Sequence, residues 1–166
     1  MTQLAGLMIQ DGVPTLPGPE DLGDYDTWTL PLQDGTEERF HGRFLGMSSS
    51  RRDEHENHDG SAYGTADTWT GTDRRCGACR WFEPRIFGGR ADRTYVLYKI
   101  GATIVPGEHH RISLERAGSP FELIELLAVP RGKKTFLTIP GREAVVQAAG
   151  RDIHLQNTYL RWQSFG

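Results

Sequence analysis

Between residues 80 and 115 three β-rich segments follow one another across connections of only a few residues. Residues 80–87 carry Trp81, Phe82, Ile86 and Phe87, and residues 94–104 are dense in β-branched and aromatic side chains. Residues 110–115 alternate, with Ile112 and Leu114 predicted to point inward. A parallel pair needs a crossover of about a dozen residues or more, so these strands must pair antiparallel with their chain neighbours. Gly88-Gly89 and Pro106-Gly107 supply the turns, and Gly101 inside the middle strand is read as a bulge. Upstream, residues 27–32 and 38–47 flank Asp34-Gly35, a hairpin signal because both residues tolerate positive φ. Phe40 and Phe44 of the return strand fall on one face by the period of two.

After residue 115 the apolar period becomes helical. Ser119-Pro120-Phe121-Glu122 reads as an N-terminus, with Ser119 the cap, Pro120 at the first helical position and Glu122 closing a capping box. Phe121, Ile124, Leu127 and Ala128 would share the buried face, and Pro130 ends the helix. Residues 131–134 form a basic loop before a short strand or linker at 135–139. A second helix follows Pro140 and ends at Gly150 as a left-handed cap, and Asp152 caps a third whose Leu155, Tyr159 and Trp162 lie at helical spacing. The predicted class is α+β: a mainly antiparallel β-sheet packed by two or three C-terminal helices, with a zinc-tied loop between strands.

That loop is the stretch from Ser48 to Arg75, which has no helical or strand period and too few aliphatic residues to bury. Loops this long inside a compact domain are uncommon and are functional, metal-tied or disordered. The two cysteines of the chain, Cys76 and Cys79, stand at Cys-x2-Cys spacing just past it. His55 and His58 form a second pair at the same spacing, seventeen residues upstream. Two imidazoles and two thiolates make a four-ligand N2S2 zinc set, so His55, His58, Cys76 and Cys79 are the candidate metal ligands. Four protein ligands leave no open position for water, which marks the zinc as structural. The insertion spans residues 48–79, residues 1–26 read as a mobile acidic arm rich in Asp, Gly and Pro, and residues 27–166 as a single domain.

Net charge is −3, but it is divided: residues 1–75 carry 6 Arg against 14 acids, net −8, and residues 76–166 carry 13 Lys or Arg against 8 acids, net +5. An acidic segment solvating a basic core accounts for this division. An anionic partner is the sharper account. Arg74, Arg75, Arg80 and Arg85 with Trp81 interleaved are the candidate nucleic-acid-binding set, mixing cations with a stacking face. Against that, the strand is apolar on both faces, which makes Trp81 and Phe82 core residues.

No catalytic signature stands out. A zinc-dependent hydrolase or nuclease would need one ligand missing and Glu56 or Asp59 as base on a metal-bound water. The function expected is therefore a non-enzymatic, zinc-stabilised binding or regulatory module with a protein partner; nucleic-acid binding and zinc-dependent hydrolysis are the alternatives. No apolar run approaches the length of a membrane span, and the first residues lack a basic n-region, so a cytoplasmic location with no membrane partner is expected.

The segments at residues 40–46 and 48–50, at 80–83, at Tyr95-Val96 and Ile100-Gly101, and at 119–124 resemble small proteins of actinobacteria, their phages and mobile elements. The resemblance covers roughly residues 38–128 and implies a small α+β domain without implying an activity. The His and Cys pairs would lie in an insertion between two neighbouring strands of such a domain.

Overall fold

A computed structural model of the chain describes residues 2–3, 8–10, 13–15, 25–52, 78–91 and 93–165. Five strands build the sheet in chain order: β4 (Asp26–Pro31), β5 (Glu37–Met47), β6 (Arg80–Gly89), β7 (Tyr95–Thr103) and β8 (Arg111–Ala117). Each is antiparallel to the next, as the short connections require for β4–β5, β6–β7 and β7–β8, and β5 pairs with β6 the same way across the long connection between them. Within the stretch read as an arm, β1 (Thr2–Gln3) lies parallel along β4, and β2 (Met8–Gln10) pairs with β3 (Val13–Thr15). The β4–β5 turn has Gly35 at φ +84°, the left-handed conformation that the Asp-Gly signal anticipates.

The sheet is apolar on both faces, and each face has its own core. On the inner face Trp28, Leu30, Phe40, Phe44, Trp81, Phe87, Val96, Tyr98, Ile100 and Ala102 pack together. Phe87 is the hub, with Trp28, Phe40 and Phe44 at centroid distances of 5.1, 5.0 and 5.7 Å, all edge-on, the arrangement that ring quadrupoles favour. No helix is needed to cover this core because the sheet curls over it. The β4–β5 hairpin reaches the far edge: the Tyr98 hydroxyl donates to the Pro31 carbonyl at 2.5 Å, the Ile112 amide to Gln33 Oε1 at 2.7 Å, and Arg116 pairs with Glu38 at 2.8 Å.

A bulge in β5 assists the curl. Phe44 pairs with Phe87 and Gly46 with Ile86, so Leu45 is the extra residue and the predicted bulge at Gly101 is replaced by regular pairing with Phe82 and Arg111. Leu45 turns to the outer core with Phe82, Ile86, Tyr95 and Leu97, against which the helices pack.

Those helices are α1 (Pro120–Leu127), α2 (Ile139–Ala149) and α3 (Ile153–Phe165). The Ser119 hydroxyl accepts from the Glu122 amide at 3.1 Å, while the Glu122 carboxylate accepts from the Gly118 amide, one residue before the cap that a capping box would use. Pro120, Leu123, Ile124 and Leu127 are buried, but Phe121 is 52% exposed, because the face turned to the sheet is set one step earlier along the helix than the predicted one. The basic loop proves to be the turn of a hairpin, β9 (Val129–Arg131) with β10 (Lys134–Phe136). Gly150 has right-handed φ and ψ of −64° and −12°, not the expected left-handed cap, since the chain passes into α3 after only Arg151 and Asp152.

Candidate functional site

His55, His58, Cys76, Arg74 and Arg75 lie outside the described residues, as do Glu56 and Asp59. The remaining sequence candidates converge on the start of β6, where the long connection rejoins the sheet. Cys79 is buried with Ala78 against Val105, and its carbonyl accepts from the Ile104 amide at 2.9 Å. The other end of the connection is pinned beside it. Ser48 and Ser50 donate their amides to the Pro84 and Phe82 carbonyls at 3.2 and 3.0 Å, and the Phe82 amide donates to Ser50 Oγ at 2.8 Å. Both ends of the 53–77 connection thus leave the same edge of the β5–β6 pair. Among the described residues no group of three or more His, Cys, Asp or Glu side chains stands close enough to hold a metal ion.

Arg80, Trp81 and Arg85 are enclosed rather than displayed. Arg80 is 5% exposed; its Nε donates to Glu108 Oε1 at 2.9 Å and it is ion-paired with that carboxylate, which also accepts from the Thr103 hydroxyl at 2.7 Å. The Arg80 hydrogen bond holds the Glu108 carboxyl below the usual range. Trp81 and Arg85, each 1% exposed, face the inner core by strand parity with Glu83 between them. Glu83 Oε1 accepts from the Trp81 indole at 2.9 Å and from Ser49 Oγ at 3.1 Å, and Glu83 Oε2 accepts from Arg85 at 2.8 Å. Burial pulls the Arg85 guanidinium down from its ordinary value, and the Glu83 charge opposes that shift. Arg51 lies 4.4 Å over the Trp81 ring, closing this buried group from above. Side chains so placed hold the mouth of the long connection to the sheet; they present no stacking surface to a nucleic-acid strand.

Sequence reasoning missed a second location, at the opposite end of β6. A cleft of about 190 Å³ is lined by Tyr25, Arg43, Gly88, Gly89, Arg93, Thr94, Arg151, Asp152 and His154. Its cations come from β5, the β6–β7 turn and the α2–α3 junction, more than forty positions apart in sequence in each step, so no motif announces them. Only Gly88-Gly89 and the Asp152 cap were legible. Gly88 forms the floor: a Cβ there would come within 3.2 Å of the Leu45 side chain.

Comparison with protein-family models, with curated proteins and with solved structures finds no match for this chain. Its class is therefore defined by its own architecture: an α+β domain with a curled, mainly antiparallel sheet and helices on the outer face.

Proposed function

We propose that the protein is a non-enzymatic binding module in which a structural zinc ion, held by His55, His58, Cys76 and Cys79, ties the β5–β6 connection to the sheet. The observation that carries this reading is the anchoring of both ends of the connection at one place, with Cys79 buried at its base. His55 follows Arg52 by three positions and Cys76 precedes Cys79 by three, so one member of each ligand pair stands close in sequence to an anchored end of the connection. A zinc ion would replace the apolar core that the connection lacks, and its tetrahedral shell would be complete without water, leaving the closed connection as a surface rather than a hydrolytic centre.

A protein partner is the favoured ligand of that module. Ile139 and Val146 on α2, and Ile153 and Leu160 on α3, are large apolar side chains more than half or half exposed, each pair two helical turns apart and so on one face. Native mass spectrometry of the full chain tests the zinc assignment. About one zinc per chain is expected, lost from His55→Ala and Cys76→Ser and removed by a chelator with a fall in the unfolding midpoint. A chain that purifies without zinc and takes none up when it is added would refute the assignment.

A further inference from the structure

The β9–β10 hairpin is built against its own electrostatics. Among the described residues its two strands pair only with each other, joined by Gly132 and Lys133. Gly132 stands at φ +64°, as the first position of a primed two-residue turn requires. In this register Arg131 lies directly opposite Lys134, with Lys133 at the tip between them. Like charges directly opposite each other destabilise an antiparallel pair, so the hairpin carries a cost that packing does not explain. No acid stands near in the chain to offset it: residues 126–142 hold four Lys or Arg and no Asp or Glu, and residues 153–166 hold no Asp or Glu either. Among the described residues, the side chains of Lys133, Lys134 and Arg142 enter no hydrogen bond or ion pair, and all three residues are exposed.

These cations adjoin an aromatic groove. By strand parity Arg131, Lys134 and Phe136 share one face of the hairpin, and the Arg131 guanidinium lies 5.8 Å over the Phe136 ring. Phe136 borders a groove of about 290 Å³ whose lining continues through Arg142, Tyr159 and Trp162. Trp162 packs against the outer core and is only half-buried, so its indole both anchors the groove and borders its opening. The volume equals roughly ten waters at their liquid volume of ~30 Å³ each, room for a planar ring system. An acidic peptide would neutralise the cations, but carboxylates on flexible stems bring no planar face to Phe136 and Trp162. A nucleic-acid duplex brings phosphates but keeps its bases stacked on one another. A single strand brings both phosphates and unstacked bases, which stack on aromatic side chains whatever their identity.

We infer that the β9–β10 hairpin and the groove beside it bind single-stranded nucleic acid, with Arg131, Lys133, Lys134 and Arg142 on its phosphates and Phe136 and Trp162 against its bases. The inference rests on neither the zinc assignment nor the protein partner. It is tested by fluorescence anisotropy of a labelled oligothymidylate of roughly twelve nucleotides, titrated with the full chain at several salt concentrations. Saturable binding is expected, with log affinity falling against log salt at a slope of about −3 for four phosphate contacts. Lys133→Gln combined with Lys134→Gln should weaken binding at least about tenfold at ~50 mM salt and make the slope shallower by about 1.4. Its unfolding midpoint should be no lower than that of the unmodified chain, because the variant relieves the cross-strand repulsion. Phe136→Leu keeps an apolar side chain and should weaken binding about fivefold at unchanged slope. Absence of saturation below ~100 μM protein at ~50 mM salt would overturn the inference. Equal affinity for a duplex of the same length would overturn it too, and equal competition by polyglutamate would show that the surface reads charge alone and serves an acidic protein. Unchanged affinity in both folded variants would place any binding elsewhere on the chain and overturn it as well.

Discussion

Glu83 and Arg85 illustrate how a single position can read one way in sequence and act another way in the fold. In a strand with Trp81 and Phe82, their charges suggest a surface; strand parity instead turns both into the inner core beside Tyr98 and Ile100. Burying an ion pair is tolerated only when further hydrogen bonds complete it, which the Trp81 indole and Ser49 hydroxyl do for Glu83. Arg85→Met would leave the carboxylate buried without its cation and should cost roughly 3–5 kcal/mol in urea unfolding. Adding Glu83→Gln to it should recover much of that loss, because the charge requiring a partner is then gone. Strictly additive losses in the double variant would show that the two side chains are not coupled.

At the scale of elements, the junction of β5 with α2 decides how the helices sit on the sheet. The bulge at Leu45 puts Gly46 directly beneath α2, where a Cβ would lie 2.8 Å from the Ala148 amide nitrogen and 2.9 Å from the Ala144 carbonyl oxygen. Both are backbone atoms, so no side chain can move aside. The Met47 amide donates to Gln147 Oε1 at 2.7 Å and the Ser48 hydroxyl to Glu143 at 2.6 Å, continuing the contact past the bulge. Gly46→Ala is therefore expected to destabilise the protein by roughly 1–3 kcal/mol, as forced overpacking does elsewhere. Thermal unfolding of the variant checks this, and an unchanged midpoint would mean that α2 is free to lift from the strand. The same element shows why Gly46 was not singled out from the sequence while Gly101 was: an isolated glycine in a strand signals either a bulge or a close approach, and only the neighbouring element distinguishes them.

For the molecule as a whole, the curled sheet and its two cores are described through residues outside 53–77, and the segments on either side of that connection meet through their own backbone hydrogen bonds. Replacing 53–77 by a short Gly-Ser turn should keep a single cooperative unfolding transition and abolish any effect of a chelator on its midpoint. Loss of cooperative unfolding in that variant would mean that the connection is part of the core rather than an addition to it.

The antiparallel pairing within the first hairpin and among the three strands after residue 80, the Asp34-Gly35 turn, the Ser119 and Asp152 caps and the three C-terminal helices were all legible from the chain, because each depends on interactions between residues near one another in sequence. So was the core role of Trp81 and Phe82, from an apolar run on both faces of one strand. The curl that brings Pro31 to Tyr98, the β5 bulge, the pairing of Glu83 with Arg85 inside the core and the meeting of Arg43, Arg93 and Arg151 in one cleft were decided only in three dimensions. They depend on how a twisted sheet closes and where its outer helices land, and these positions follow from packing between segments far apart in the chain rather than from any local period.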